Sequence, residues 1–330
     1  MSAQSKKRLK KRSLRKVTPV LFVLISVFSL SIFGIFKLVS KSVASAFSAD
    51  SKDLSVQNVY TVLFIPSVSG SDDPDELGAL KLLVLNSSKD TALSVEIPKD
   101  EKIDALGKFG LETISNIFAL GKRYSDGDLK GGIEYLVRSV EFDLGLKIDR
   151  YVYVRGDSVR TMSGLLMGGP TIAAFSPEFL FGIRDDLVTN FSSSEFLDLL
   201  KILRSSDIQT AAFGDFDLEI KKFVFNSEIS MENKAVAVLN GTGMPGIAGF
   251  GGRVCENAGM RVIEVGNASR IYEESVLIID DPDSLSASYL MRFFGFSKVM
   301  KKEDLSGFAE PAVDRADITM IVGLDIAKHL

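Results

Sequence analysis

A single cysteine, Cys255, and a single histidine, His329, are all that this chain has of either residue. One cysteine cannot form an internal disulfide. One histidine beside the C-terminus and one cysteine exclude a cysteine-rich or multi-histidine metal site and argue against a Ser-His-Asp triad. Any catalysis must rest on carboxylates, Lys, Arg, Tyr or a bound divalent cation. The first sixteen residues contain no acid, and Val17 to Phe36 contain no charge of either sign.

What is present explains these gaps. Lys6, Lys7, Arg8, Lys10, Lys11, Arg12, Arg15 and Lys16 form a basic tail over residues 1–16. The uncharged run behind it, rich in Leu, Val, Ile and Phe, has about the ~20 residues that cross a hydrocarbon core. Residues 17–39 are therefore predicted as one membrane helix. The positive-inside rule keeps the tail cytoplasmic and places everything after the helix outside. A cleaved signal peptide is the rival reading. It would have a shorter apolar core, although the small residues Val43-Ala44-Ser45-Ala46 could serve a peptidase. The whole chain has 39 basic and 43 acidic residues; without the tail the balance is 31 to 43. The outer part is thus acidic, which argues against a nucleic-acid partner.

Residues 40–57 read as a juxtamembrane stalk, and the rest suits two domains, 58–225 and 234–330, with a polar linker at 226–233. In the first, Tyr60–Ile65, Leu80–Leu85, Ala92–Ile97 and Tyr151–Val154 are apolar runs between turn signals and are predicted as strands. Leu111–Leu120, Gly132–Leu144 and Ser192–Leu203 have helical spacing, the last with a Ser192–Glu195 capping box. Strand and helix alternate, so an α/β domain is expected. In the second, strands at Ala235–Leu239, Arg261–Val265, Val276–Ile279 and Ile318–Val322 alternate with helices at 247–257 and 284–294. That βαββα…β order predicts a small sheet with two helices on one face.

Two groups of motifs carry a family resemblance. Val236-Ala237-Val238-Leu239-Asn240-Gly241-Thr242-Gly243, Gly246-Ile247-Ala248, Ala258-Gly259-Met260-Arg261-Val262, Gly266-Asn267-Ala268, Asp317-Ile318-Thr319 and Gly323-Leu324-Asp325 resemble, in that order, the LytR C-terminal domain. Leu83-Val84-Leu85-Asn86, Leu93 to Asp100, Gly131 to Val137 and Leu144 to Val152 resemble a reduced catalytic domain of the LytR–CpsA–Psr (LCP) family of bacterial envelope proteins. The resemblance implies a bacterial protein anchored in the cytoplasmic membrane by a single span, with its domains extracytoplasmic. It also implies transfer of glycopolymers from a polyprenyl phosphate carrier to the cell wall. Arginines would hold the pyrophosphate and an aspartate would help place Mg²⁺.

The departures fall in that site. The family's Asp-Thr would lie at about Ala79-Leu80, so its carboxylate is missing. The Pro-Arg-Asp has become Pro98-Lys99-Asp100, and lysine supplies charge without a bidentate fork. The later arginine-rich stretch is reduced to about twenty residues between Gly168-Gly169 and Thr189-Asn190, with Arg184 alone. The expected reading is a non-catalytic binding or scaffold protein for wall glycopolymer, a lipid-linked precursor or an envelope partner. The alternative is an active phosphotransferase, with Mg²⁺, built around Lys99 and Asp100. In either case Lys99, Arg138 and Arg155 are the candidate ligand-holding residues.

One further motif stands apart. Gly241-Thr242-Gly243-Met244-Pro245-Gly246 matches G-x-G-x-x-G between a strand and a helix, with Glu264 further along. A nicotinamide cofactor is not expected, because a dinucleotide site usually needs a larger doubly wound sheet. Asn240, Gly241, Gly243 and Gly246 are instead expected to form a tight turn with close helix–strand packing, or an anion site at the helix start. The acidic turns 72–75 and 280–283 are expected to be solvated, and Cys255 to be a small buried apolar residue.

Overall fold

The structure is a computed structural model. It describes residues 59–68, 73, 75–86, 89–107, 109–167, 186–304 and 310–328. The basic tail, the expected membrane run, the stalk, Arg184 and His329 lie outside the described residues. Among the described residues no helix is long and apolar enough to cross a membrane.

The first unit contains strands β1 (Val59–Pro66), β2 (Leu80–Asn86), β3 (Thr91–Ile97), β4 (Lys102–Ala105) and β5 (Gly110–Thr113), then helices α1 (Ile114–Tyr124) and α2 (Leu129–Leu144). β6 (Arg150–Val154), α3 (Ser158–Leu166), β7 (Leu187–Thr189), α4 (Ser193–Ser205), β8 (Asp207–Ala212) and α5 (Phe216–Val224) complete it. The second contains α6 (Ser227–Glu232), β9 (Ala235–Asn240), α7 (Ile247–Ala258), β10 (Arg261–Asn267), β11 (Val276–Ile279) and α8 (Leu285–Phe294). It ends with β12 (Lys298–Lys301), α9 (Ala312–Arg315), β13 (Ile318–Val322) and α10 (Leu324–Ala327).

Six strands of the first unit form one sheet in the order β7-β6-β1-β2-β3-β8. β1 is antiparallel to β2 and parallel to β6, while β3 is antiparallel to β2 and parallel to β8. The central strands are apolar on both faces because both faces are covered. Leu63, Leu82, Val95 and Tyr153 pack under α1, α2 and α5. Val62, Phe64, Leu83 and Val152 pack under α3 and α4. The sheet is thus the middle layer of three. The Ser192–Glu195 capping box forms as expected, and Glu195 also takes a buried ion pair from Arg150 at 2.6 Å.

The second sheet has the order β10-β9-β13-β11-β12, with β13 antiparallel to β11 and the other neighbours parallel. α7 and α8 cover one face, as expected. The other face is not bare: Ala312, Val313 and Tyr272 close it.

Two expectations need correcting, and an edge strand was missed. Residues 111–113 are not helical; they pair with β4, and Thr113 caps α1 by accepting from the Asn116 N–H. The stretch 226–233 is not a plain linker. Asn226 caps α6, Ile229 is buried in the second core, and Glu232 accepts the Leu285 and Ser286 N–H groups at the start of α8. β8 was not anticipated, because DIQTAA carries no apolar alternation and sits at an exposed sheet edge.

The two units meet along α2 and α7. The Phe142 ring stacks on Phe250 at 5.6 Å, and the Phe142 carbonyl accepts from Arg253 at 2.6 Å. Asn257 donates to the carbonyls of Leu144 and Gly145. Gly145 has φ of +62°, and a Cβ there would lie 2.5 Å from Arg253 Cβ, so only glycine lets the two helices approach this closely.

Candidate functional site

The strand directions bring the carboxyl ends of β1, β3 and β6 to one sheet edge, together with the start of β2. Ligands of open α/β sheets gather at such edges. Here the edge carries charge. Lys99 follows β3, Arg155 follows β6, and Asp75 and Glu76 lie in the β1–β2 connection, held by a Ser67–Leu77 bridge.

Asp75 is the hub. Its Oδ2 receives Lys122 Nζ at 2.5 Å, and its Oδ1 receives the Tyr153 hydroxyl at 3.2 Å. Arg155 lies 3.7 Å from the same Oδ1. Glu76 pairs with Lys99 at 2.6 Å. The Lys99 carbonyl accepts from the backbone N–H and hydroxyl of Ser115, which fixes the Pro98-Lys99 turn against the start of α1. Lys122 also sits over the Phe118 ring, which stacks on Tyr153. Burial first, then the Asp75 charge, raises the Tyr153 phenol well above its usual value, so it stays protonated and donates. The Lys99–Glu76 pair is about two-fifths exposed on each side and is worth at most about 1 kcal/mol.

Of the expected site residues, Lys99 and Arg155 join this cluster. Asp100 is exposed in the turn beside Lys99, and Arg138 is exposed on α2 outside the cluster. Asp75 belongs to an acidic turn expected to be solvated, yet its side chain is only 16% exposed, because three donors converge on it. Lys122 and Tyr153 were not singled out from sequence. The one available signal, a lysine in the last turn of an amphipathic helix, reads equally well as a helix-dipole partner.

The Mg²⁺ implied by the family resemblance needs oxygen donors. Ala79 supplies none, and Asp75 is already shared among Lys122, Tyr153 and Arg155. Among the described residues no group of three or more His, Cys, Asp or Glu side chains could hold a metal. The residues present do not fit the ion.

The glycine loop is closed on itself. Asn240 Oδ1 accepts from the Thr242 N–H and hydroxyl, and Asn240 Nδ2 donates to the Met244 carbonyl. Gly241 N–H donates to the Val322 carbonyl, tying the loop to β13. Gly246 caps α7 with φ of +82°, and the Phe142 ring from the first unit lies 2.5 Å from where its Cβ would be. The start of α7 is therefore packed against the other unit. Glu264, the ribose partner of a dinucleotide reading, pairs with Arg315 at 2.7 Å.

Residues 233–325 match a family model described as LytR_C, LytR cell envelope-related transcriptional attenuator. The C-terminal motifs pointed to that family. No curated protein matches the chain. Solved structures with a similar arrangement include TagT of Bacillus subtilis, with 15% identity, covering 50% of this chain and 82% of TagT at a TM-score of 0.33. A LytR-CPS2A-psr family protein, TagT with bound octaprenyl pyrophosphate lipid, has 14% identity over 50% of this chain and 81% of that one, at 0.33. A transcriptional regulator from Enterococcus faecalis has 11% identity over 64% of this chain and 92% of that one, at 0.36.

Proposed function

We propose that this chain is a membrane-anchored, extracytoplasmic envelope protein that binds wall glycopolymer or a polyprenyl-linked precursor without transferring it. The LytR_C match over residues 233–325 supports an envelope role. The observation that carries the non-catalytic reading is the pairing at the sheet edge. Lys99, Lys122 and Arg155 each face a carboxylate of the same chain. Phosphoryl transfer depends on cations preorganised for charge that develops in the transition state. Here a pyrophosphate would first have to displace Asp75 and Glu76, and the carboxylates left behind would repel it. Ala79 and Lys99 stand where the resemblance implies an aspartate and an arginine. No cofactor is needed for binding alone.

The convergence of Lys99, Lys122 and Arg155 at a carboxyl sheet edge is what favours the alternative, a rearranged phosphotransferase. The deciding experiment supplies the full chain with lipid-linked polymer, peptidoglycan acceptor and Mg²⁺. No product is expected. Turnover that disappears in Lys99→Ala or Asp100→Ala overturns the non-catalytic reading. Protease added to intact cells tests the topology: the C-terminal domains should be degraded, and their protection in an envelope permeable to the protease contradicts an outside location.

A further inference from the structure

A cavity of about 320 Å³ opens where the two units meet. Phe250 of α7 and Phe293 and Phe294 of α8 form an aromatic wall. Glu141 of α2, Lys147 after it and Asp325 of α10 supply the charges. Neither unit builds this cavity alone, and it is separate from the Lys99–Asp75 cluster.

Its electrostatics favour a cation. Glu141 Oε1 accepts from the Ile148 N–H at 2.7 Å, and Asp325 Oδ1 accepts from Ser275 and the Ile326 N–H. Among the described residues neither carboxylate has an ion-pair partner, and Glu141 Oε2 and Asp325 Oδ2 have no hydrogen-bond donor. Gly295, the C-cap of α8, also lines the cavity, so the negative end of a ten-residue helix dipole faces it. Lys147 in the lining and Arg138 on α2 are the opposing charges that act on Glu141, and both are exposed to solvent that screens them. Desolvation raises the Glu141 carboxyl to about 7 and outweighs the Ile148 N–H and the nearby Lys147 and Arg138, which favour its charged form. Aromatic faces beside carboxylates are the setting in which an organic ammonium group is held, by cation–π attraction and charge-assisted hydrogen bonds together.

We propose that this inter-unit cavity binds a primary ammonium group carried on a small ring or chain. The ammonium would lie between Glu141 and Asp325, and its apolar body against Phe293 and Phe250. The proposal does not depend on whether the sheet-edge cluster is catalytic.

The test uses the full chain in a nonionic maltoside detergent, which carries no amine. Saturation-transfer NMR compares cyclohexylammonium with cyclohexanol and cyclohexanecarboxylate. The ammonium should bind at millimolar concentration, the alcohol about tenfold more weakly and the carboxylate not at all. Glu141→Gln keeps an acceptor for Ile148 but removes one of the two carboxylate charges, so it should reduce the preference for ammonium over alcohol, and Glu141→Gln combined with Asp325→Asn should erase it. Phe293→Leu, on a partly buried ring, should weaken both. Glucosamine and alanine methyl ester would distinguish an amino-sugar from an amino-acyl source, and competition by either supports the site. Equal binding of alcohol and ammonium, an ammonium preference undiminished in Glu141→Gln or surviving in the double variant, or no transfer to any probe from folded protein overturns the proposal.

Discussion

Replacing Phe142 by alanine tests whether the two units are one cooperative body. Phe142 belongs to α2 of the first unit, but its ring is 5% exposed because the second unit covers it. It stacks on Phe250 at 5.6 Å, lies 5.8 Å from the Arg253 guanidinium and occupies the space that Gly246 leaves open. A fully buried phenylalanine truncated to alanine typically costs about 3–5 kcal/mol. For a chain of this size each kcal/mol lowers Tm by roughly 2–4 °C, so a fall of about 6–20 °C is expected. Nearly all of that loss is coupling between the units, since Phe142 would be exposed in the first unit alone. The wild type should therefore unfold in one calorimetric transition, and Phe142→Ala in two. Leu111→Ala, at a residue 65% exposed, is the control and should change stability by less than about 0.5 kcal/mol. A single unshifted transition in Phe142→Ala would show that the seam contributes nothing and that the packing argument fails.

Arg150→Met should cost about 3–5 kcal/mol in urea denaturation, because it strands the buried Glu195 carboxylate; a loss below about 1 kcal/mol would mean the carboxylate finds water instead. Glu141 is a carboxyl raised from 4.5 to about 7 by burial, so its effect on stability has the opposite sign from that of a paired acid. Nothing is lost below 4.5, where both states are protonated. As pH climbs toward 7 the unfolded chain ionises first and stability falls, by at most about 3 kcal/mol, so Glu141→Gln should flatten that part of the stability–pH curve. Cys255 is fully buried and its thiol is pushed up to about 12, so the native full chain should not react with a thiol-specific disulfide reagent at pH 8, whereas the urea-unfolded chain should; fast labelling of native protein would contradict the burial.

Most of the elements that were legible in the sequence share one property, that their own side chains face a core; the edge strand β10, read from its Arg261–Val265 alternation, is the exception. Val276–Ile279 and Ile318–Val322 are buried on both sides and match their expected bounds. The Ser192–Glu195 spacing announced α4, since a capping box is local chemistry. β8 and β12 escaped because edge strands are defined by a neighbour's free hydrogen-bonding groups, and Lys298–Lys301 carries lysine at both ends, as blunted edges do. α6 escaped because its only buried residue is Ile229, which gives no period to read.

The candidate sites follow the same logic at longer range. Lys99 and Arg155 could be chosen because each ends a readable strand, and strand ends at one sheet edge converge. Lys122 could not, since it reaches Asp75 from 47 positions along the chain, across a helix whose rotation nothing local fixes. The glycine loop shows the reverse problem. Its spacing reads as a phosphate cradle, but whether Gly246 faces a ligand or Phe142 depends on how α2 docks on α7. That docking consumes the helix start suggested by the motif and, a few residues away, creates the cavity among Glu141, Asp325 and the phenylalanines that no motif announces. On the proposed reading, ligand binding depends on inter-unit packing more than on these signatures, and substitutions along the α2–α7 seam, Gly246 included, should alter it before substitutions at Gly241 or Gly243 do.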